Sequence, residues 1–265
     1  MLFSSSQELS QHPQGLEGAL QALQQEIRSR PGELKLRVLL FQLLALMGQW
    51  QRALAQLQVV AKLDAAMTPL AQTYRSALRA EVFRADVFAG KRTPQILGEP
   101  KTWVAQLIEA LQQDQLGQTE LANSLRLDAL DAAPEIAGRA GEQEFAWLAD
   151  GDVRLGPILE AVIQGQYYWL SFDQIAHIRL EAPADLRDLV WAQARITLIN
   201  EGEILALLPA RYPDLAGADD LIRLSRKTDW KPVADDMYFG QGQKMWMTDQ
   251  AEFALLDVRE VHFQA

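Results

Sequence analysis

The hydrophobic period of this chain changes once, near residue 134, and that change limits the possible folds more than any other feature. Before it, apolar residues recur at helical spacing. Leu16, Leu20, Leu23 and Ile27 make one stripe, and Leu36, Leu39, Leu40, Leu43, Leu44 and Met47 a second. Leu54, Leu57, Val60 and Leu63 make a third. Residues three and four apart share one face of a helix, so each stripe is the buried side of an amphipathic helix. "SRPGE" and "MGQW" separate the stripes, with proline and glycine as punctuation. The helical pattern begins at residue 6 and continues through a long helix from Thr68 to Ala89 and another from Lys101 to Gln113.

An internal repeat crosses this half at an offset of about 34 residues, the length of a tetratricopeptide unit. "GALQALQQEIRSRP" lies over "RALAQLQVVAKLDA", so that Ala19 matches Ala53, Leu20 matches Leu54 and Leu23 matches Leu57. In "LLALMGQWQRALAQLQVVAKLD", Gly48 falls in the turn between two helices, Trp50 opens the second, and small Ala53 suits a close crossing. Phe41 stands where a small residue is usual, and Ala65 where a proline closes the unit. An ordinary helical bundle is the other reading of the same pattern.

After "APEIAGRAGEQ", which reads as a linker or domain seam, the period becomes two. In "VWAQARITLI", Val190, Ala192, Ala194, Ile196 and Leu198 alternate with Trp191, Gln193, Arg195 and Thr197. Strands place successive side chains on opposite faces, so this is a strand with one face in the core. Strands are expected at 143–149, 157–164, 166–172, 175–180, 190–199, 203–209, 220–226, 243–248 and 252–262, with hairpin turns at "IQGQY" and "INEGEI". Five of the seven tryptophans, Trp147, Trp169, Trp191, Trp230 and Trp246, lie in this half. The expectation is an α+β chain: an all-helical, tetratricopeptide-like domain over 1–133, then a compact antiparallel β-rich domain over 134–265.

Composition narrows the chemistry. The net charge of -10 opposes binding to phosphate backbones and anionic lipid, so neither nucleic acid nor membrane is an expected partner. The absence of cysteine removes disulfides, thiolate metal sites and a cysteine nucleophile. The N-terminus lacks the basic and apolar regions of a secretory signal, and no run reaches the roughly 18–20 apolar residues that span a bilayer. A cytoplasmic location is expected.

Candidate sites divide into chemistry and architecture. Asp150 and Asp152 in "ADGDVR" could share a metal ion, with Asp219, Asp220, Asp235, Asp236 or Asp257 as further ligands, as in a metal-dependent hydrolase. The favoured reading is a tight turn in which Asp152 pairs with Arg154 or caps backbone amides. His177 and His262 sit in strands beside apolar residues, as packing histidines do. "FGQGQ" lacks the Gly-Lys-Ser/Thr of a phosphate loop and suits glycines in a hairpin loop. Asp185, Arg187 and Asp188 in "PADLRDLVW" suit local ion pairs or a partner's charges. Tyr167, Tyr168 and Trp169 alternate along a strand: either one is an exposed anchor for another protein, or the helical half covers the second face. No serine elbow occurs, and no group of residues assembles a nucleophile with a base. The residues point to a binding module without catalytic residues or cofactor.

One ordered set of motifs is more specific. "WLADGDVRLGPILEAVIQGQYYWLSFDQIAHI", "PADLRDLVWAQARITL", "LLPARYP", "DDLIRLSRKTDW", "GQGQKMW" and "ALLDVRE" together resemble the ImpE/SciE family, also called TagJ, across the whole second half. The sequence departs from that pattern at "WAQARI", where a proline is expected after the tryptophan. The resemblance implies a non-enzymatic accessory protein of bacterial type VI secretion. Its implied partners are the small contractile-sheath subunit (TssB-like) and the ClpV-type AAA+ ATPase, in sheath assembly or recycling. A repeat scaffold for an unrelated client is the plainer alternative. The protein-binding or fold-defining candidates are Trp147, Asp150, Asp152, Arg154, Tyr167, Tyr168, Trp169, Arg187, Asp188, Trp191, Arg211, Tyr212, Asp257 and Arg259.

Overall fold

The computed structural model describes residue 9, residues 12–99 and residues 101–264; the expected helical start at residue 6 lies outside them. Helices α1 (Gly15–Ser29), α2 (Leu34–Leu46), α3 (Trp50–Leu63) and α4 (Thr68–Phe88) follow in order, each packed on the next. The first stripe, Leu16, Leu20, Leu23 and Ile27, is buried as its spacing requires. Helix α2 is buried nearly all round, with Leu40, Phe41, Gln42, Leu43 and Leu44 inside, because it is sandwiched in the bundle. Gly48 ends it with φ +69°, the left-handed conformation that costs glycine least. The Gln49 amide there closes onto Leu44 O at 2.9 Å. Ala53 is fully buried. Phe41 is also fully buried, against Tyr74 of α4 at 5.6 Å between rings.

A second pair, α5 (Thr102–Gln115) and α6 (Thr119–Ala132), packs beside α4. Gly117 (φ +74°) makes the turn that separates α6, which the sequence left inside one continuous helical region. The antiparallel second half then completes the expected α+β class. Its strands are β2 (Gly138–Ala140), β3 (Gln143–Phe145), β4 (Leu148–Asp150), β5 (Ile158–Ile163), β6 (Gln166–Ser171), β7 (Ile175–Leu180), β8 (Trp191–Leu198) and β9 (Glu203–Pro209). After them come β10 (Thr228–Ala234), β11 (Met237–Gly242), β12 (Met245–Thr248), β13 (Glu252–Ala254) and β14 (Glu260–Phe263).

Among the described residues one sheet has nine strands in the order β1-β6-β5-β9-β8-β7-β14-β2-β3, where β1 (Gln95–Ile96) comes from the helical half and pairs parallel to β6. A smaller sheet, β13-β12-β4, covers one face, so that Trp246 and Leu148 meet Leu170, Ile178, Ile196 and Val261. On the other face α4, α5 and α6 cover β5 and β6, burying Tyr167 and Trp169 with Trp103 and Leu107. The part of that face formed by β7, β8 and β14 is left without helices and carries polar residues, His177, Arg179, Arg195 and Glu260 among them.

Five local differences from the expectations stand out. The segment 220–226 is not a strand: the Asp219 side chain accepts the Ile222 amide at 2.8 Å and starts the helical turn α7 (Asp220–Arg223). An N-cap prevails there over a short apolar alternation. Strands β10 and β11 form a hairpin that was not foreseen, turning through Asp236 at φ +56°. "FGQGQ" therefore lies mostly within a strand and not in a loop. Gly240 is glycine because a Cβ would come 2.2 Å from the Tyr212 ring. The stretch expected as a linker supplies β2, and the expected strand 252–262 is split by a turn at Leu255–Asp257. At "IQGQY" the turn residues Gln164 (φ +49°) and Gly165 (φ +81°) are both left-handed, as the tightest hairpins require. Ala192 continues β8 without a break at the position where the resemblance led to the expectation of a proline.

Candidate functional site

The acidic turn at 150–154 belongs to a buried charge network that joins the helices to the sheet. Helix α4 contributes Glu81 and Arg84, three residues apart and so on one face. Arg84 grips Glu160 of β5 with two parallel bonds, Nε to Oε1 at 2.6 Å and Nη2 to Oε2 at 2.9 Å. Its remaining donors reach Glu81 at 3.3 Å and the Arg211 carbonyl at 2.8 Å. Lys244 bridges onward, 2.6 Å from Glu160 and 2.6 Å from Asp150. Tyr167 donates its hydroxyl to Glu160 and accepts from Trp169 Nε1 at 2.7 Å. Tyr212 donates to Asp150 Oδ1 at 2.9 Å.

Asp152 completes the turn. Its Oδ1 accepts the Arg154 amide at 3.0 Å and Arg154 Nε at 2.8 Å, while Oδ2 accepts Gly240 N at 2.8 Å. The Arg154 guanidinium lies over the rings of Phe239 (4.3 Å) and Phe88 (4.9 Å), so this pair also reaches α4. Four carboxylates, of Glu81, Asp150, Asp152 and Glu160, thus face four cations, of Arg84, Arg154, Arg211 and Lys244, all buried. Burial alone would raise the Glu160 carboxyl, but Arg84 and Lys244 outweigh it and hold its pKa at about 2. Asp150 is pushed up, since burial exceeds the pull of Lys244.

Arg211 plays a different part. Its guanidinium donates to Leu46 O at 2.7 Å and Ala45 O at 3.3 Å, carbonyls of the last turn of α2, where the helix dipole favours a cation. Burial lowers it to about 10, against the attraction of Glu81. Trp191 of β8 donates to Glu81 Oε1 at 3.0 Å and packs on Tyr74 (5.6 Å) and Trp50 (6.1 Å), so the helical bundle closes on the sheet here.

This arrangement suits architecture. The void beside Glu81, Arg84 and Arg211 is about 10 Å³, no larger than the space one water needs. Each carboxylate faces a cation or an N–H donor. Asp219 and Asp220, expected as further metal ligands, bind backbone amides of Ile222 and Leu16 instead. Among the described residues the grouping of three donors suited to a metal is His177, Glu260 and His262, not the Asp150 turn.

The remaining predicted residues lie apart from the network. Asp188 and Asp185 form a reciprocal cap on the turn Leu186–Leu189, and Arg187 pairs with Asp185 at 2.5 Å while covering the Tyr74 ring. Trp147 and Tyr168 are half-buried, the latter against the core on the smaller sheet's side. Asp257 and Arg259 are exposed, and Arg259 donates to Leu256 O at 2.8 Å. Both faces of β6 are covered, which fits the second reading of its aromatic run.

Sequence reasoning missed Glu81, Arg84, Glu160 and Lys244. A signal existed for Glu160: one carboxylate within the apolar strand "ILEAVI" has no place inside without a buried cation. For Arg84, exposed and buried arginines look alike until the helix is docked.

An open groove of about 610 Å³ lies between α4 and the sheet. Gln72, Thr73 and Ser76 form one wall, and Val162, Ala194, Ala206 and Leu207 supply apolar surface. Leu205 stands on its rim, 70% exposed.

A family model described as ImpE protein matches residues 142–262. The type VI secretion system accessory component TagJ of Pseudomonas aeruginosa is 50% identical over 250 residues, covering 94% of this chain and 88% of that protein. The chain belongs to the ImpE family. A crystal structure of protein VPA1032 from Vibrio parahaemolyticus has the same architecture, with a TM-score of 0.87, 26% identity and 94% of each chain covered. The ImpE segment holds Asp150, Asp152, Arg154, Glu160, Arg211 and Lys244, while Glu81 and Arg84 lie before it. In this ImpE chain the helical half therefore adds one carboxylate and one cation to a network of three of each in the matched segment, and its Arg84 pairs with Glu160 across the two halves. No helix among the described residues is long and apolar enough to cross a membrane.

Proposed function

We propose that this chain is a cytoplasmic accessory protein of a type VI secretion system that acts by holding other proteins and catalyses no reaction. Its partners are the small contractile-sheath subunit (TssB-like) and the ClpV-type ATPase, and it modulates sheath assembly or recycling by presenting one to the other. The relationship to TagJ supports the setting. The observation that carries the mode of action is the groove between α4 and β9: an open channel with apolar surface and a leucine displayed on its rim. Burying such a leucine against a partner contributes about 2 kcal/mol, enough to anchor a short segment of another chain. The buried Arg84–Glu160 pair ties α4 to the sheet and so fixes the two walls relative to each other, which lowers the ordering cost of binding.

The test is calorimetric titration of the purified full chain with the small sheath subunit and, separately, the ATPase of the same bacterium. Micromolar or tighter binding to either, weakened about tenfold or more by Leu205→Arg in a chain with unchanged melting temperature, is the expected result. Absence of binding to both partners would overturn the adaptor reading. Binding that Leu205→Arg leaves intact would place the contact elsewhere.

A further inference from the structure

The open part of the large sheet carries a second cluster, away from the buried network. His177 on β7 and His262 on β14 are directly opposite in the antiparallel register. Their rings are stacked, 4.0 Å apart between centroids, with 10° between the ring planes. Glu260 precedes His262 by two residues, so the strand puts it on the same face. One Glu260 carboxylate oxygen is 3.8 Å from His262 Nε2. One donor atom from each of the three residues lies within 4.8 Å of the others.

The cluster differs from the network in one respect that points to a ligand. His177 Nε2 is buried and has no hydrogen-bond partner. A shut-in imidazole nitrogen without a partner is costly, and the neighbouring residues on this face offer it none. We propose that His177, Glu260 and His262 bind a divalent transition-metal ion of the zinc class.

The donor set selects the ion. Two imidazoles and a carboxylate are the ligands that zinc, nickel and copper accept, whereas calcium and magnesium take oxygen alone. Ligand atoms at zinc bonding distance sit about 3.3 Å from one another in a tetrahedron, so modest side-chain rotations close the three onto one ion. Two guanidiniums oppose the ion. Arg179 lies 3.9 Å from Glu260, and Arg139 is opposite His262 across β2. Their repulsion sets the affinity in the micromolar range instead of the far tighter range of closed zinc sites. Three protein ligands leave a fourth position for water or for a donor from another molecule. Glu260 and Arg179 also line an open groove of about 680 Å³, so an ion held there is accessible from solvent. The ion would tie β14, near the end of the chain, to β7, independently of the partners proposed above.

The test uses the full chain after treatment with a chelator. Titration with Zn²⁺ by calorimetry should give one equivalent, and Co²⁺ should develop the visible absorption bands of a low-symmetry, nitrogen-ligated ion. His177→Gln and His262→Gln should each weaken binding about tenfold or more, while His12→Gln should not change it. At a hundredfold excess over Kd, Zn²⁺ should raise Tm by about 5 °C. Circular dichroism of the metal-free variants checks the fold. Should His177→Gln fail to fold, Glu260→Gln, a half-buried residue at the groove, gives the same readout. Absence of saturable binding, or binding that persists in the His177→Gln/His262→Gln double variant, would overturn the proposal.

Discussion

Two ion pairs of nearly equal length occupy opposite situations in this molecule. Arg84 and Glu160 approach to 2.6 Å with side-chain exposures of 3% and 0%, while Arg195 and Glu203 approach to 2.9 Å with exposures of 52% and 60%. The first pair lost its hydration on folding and recovered it through a fork of hydrogen bonds, Lys244, Tyr167 and the Arg211 carbonyl. The second pair keeps its water. Distance does not separate them; burial does, because the attraction and the penalty for breaking it both grow as water is removed. The buried pair fixes how the helices sit on the sheet, whereas the exposed pair remains available to a partner.

The most severe way to break this comparison is to remove one buried charge. Arg84→Met leaves Glu160 and Glu81 facing fewer cations and should cost about 3–5 kcal/mol, read from urea unfolding at pH 7. Arg195→Met, on the open sheet, should cost about 0–1 kcal/mol. Similar losses in the two variants would show that the α4 seam is wet in solution. The Arg84→Met/Glu160→Gln double variant sharpens the result: a coupling energy above about 1 kcal/mol is expected for two groups in one network.

Next in size is a change that touches no charge. Gly240→Ala sets a Cβ 2.2 Å from the Tyr212 ring, whose hydroxyl is tied to Asp150. The ring has little room to withdraw, so a loss of about 1–3 kcal/mol is expected. A Gly141→Ala control meets no neighbour within 4 Å, although its left-handed φ of +59° adds about 1 kcal/mol of backbone strain. Gly240 is not in the left-handed region, so its loss comes from the Tyr212 contact, and any excess over the Gly141→Ala loss is a lower bound on that packing contribution.

Acidification separates the network by sign. Glu160 is depressed from its unfolded value of 4.5 to about 2. Its contribution is fully present above pH 4.5 and is lost as pH falls through about 2. Asp150 is raised, so acid acts on it in the opposite direction, favouring the folded form. The stability gap between the native chain and Glu160→Gln isolates the first term: it should be largest at pH 6 and shrink steadily toward pH 2. A gap independent of pH would mean that Glu160 is not held ionised by Arg84 and Lys244.

How far the sequence foretold this molecule depended on the range of the interactions involved. Stripes such as Leu16, Leu20 and Leu23, and the left-handed turns at Gly48 and Gly165, are local, so the helices and the β5–β6 hairpin were readable. The turn at Asp152 and Arg154 was readable for the same reason, with partners two residues apart. The expectation of a strand where helix α7 forms, and the missed β10–β11 hairpin, came from segments whose alternation was short and whose caps and turns decided the outcome. Non-local pairings gave no signal at all. His177 and His262 are 85 positions apart and meet only because β14 returns beside β7. Arg211 ends α2 across 165 positions. In each case the residue type announced that some partner was needed, and only the topology supplied which one.

The smallest expected effect bears most directly on function. Leu205 projects from β9 with 70% of its surface exposed, so folding gains little from it. Leu205→Ser should therefore alter unfolding free energy by less than about 0.5 kcal/mol, the usual range for surface substitutions. Measured beside Arg84→Met, it separates the two regions cleanly: one side chain whose loss destabilises the scaffold without touching any surface, another whose loss leaves the scaffold intact and removes apolar area from the groove. A destabilisation beyond 1 kcal/mol would mean that Leu205 is covered in solution, by the chain itself or by a second copy. Repeating the melt over a hundredfold range of protein concentration distinguishes these, since only self-association makes Tm depend on concentration. A concentration-independent Tm with no loss of stability would leave Leu205 as an apolar residue displayed for another protein, consistent with a rim that anchors a docked segment.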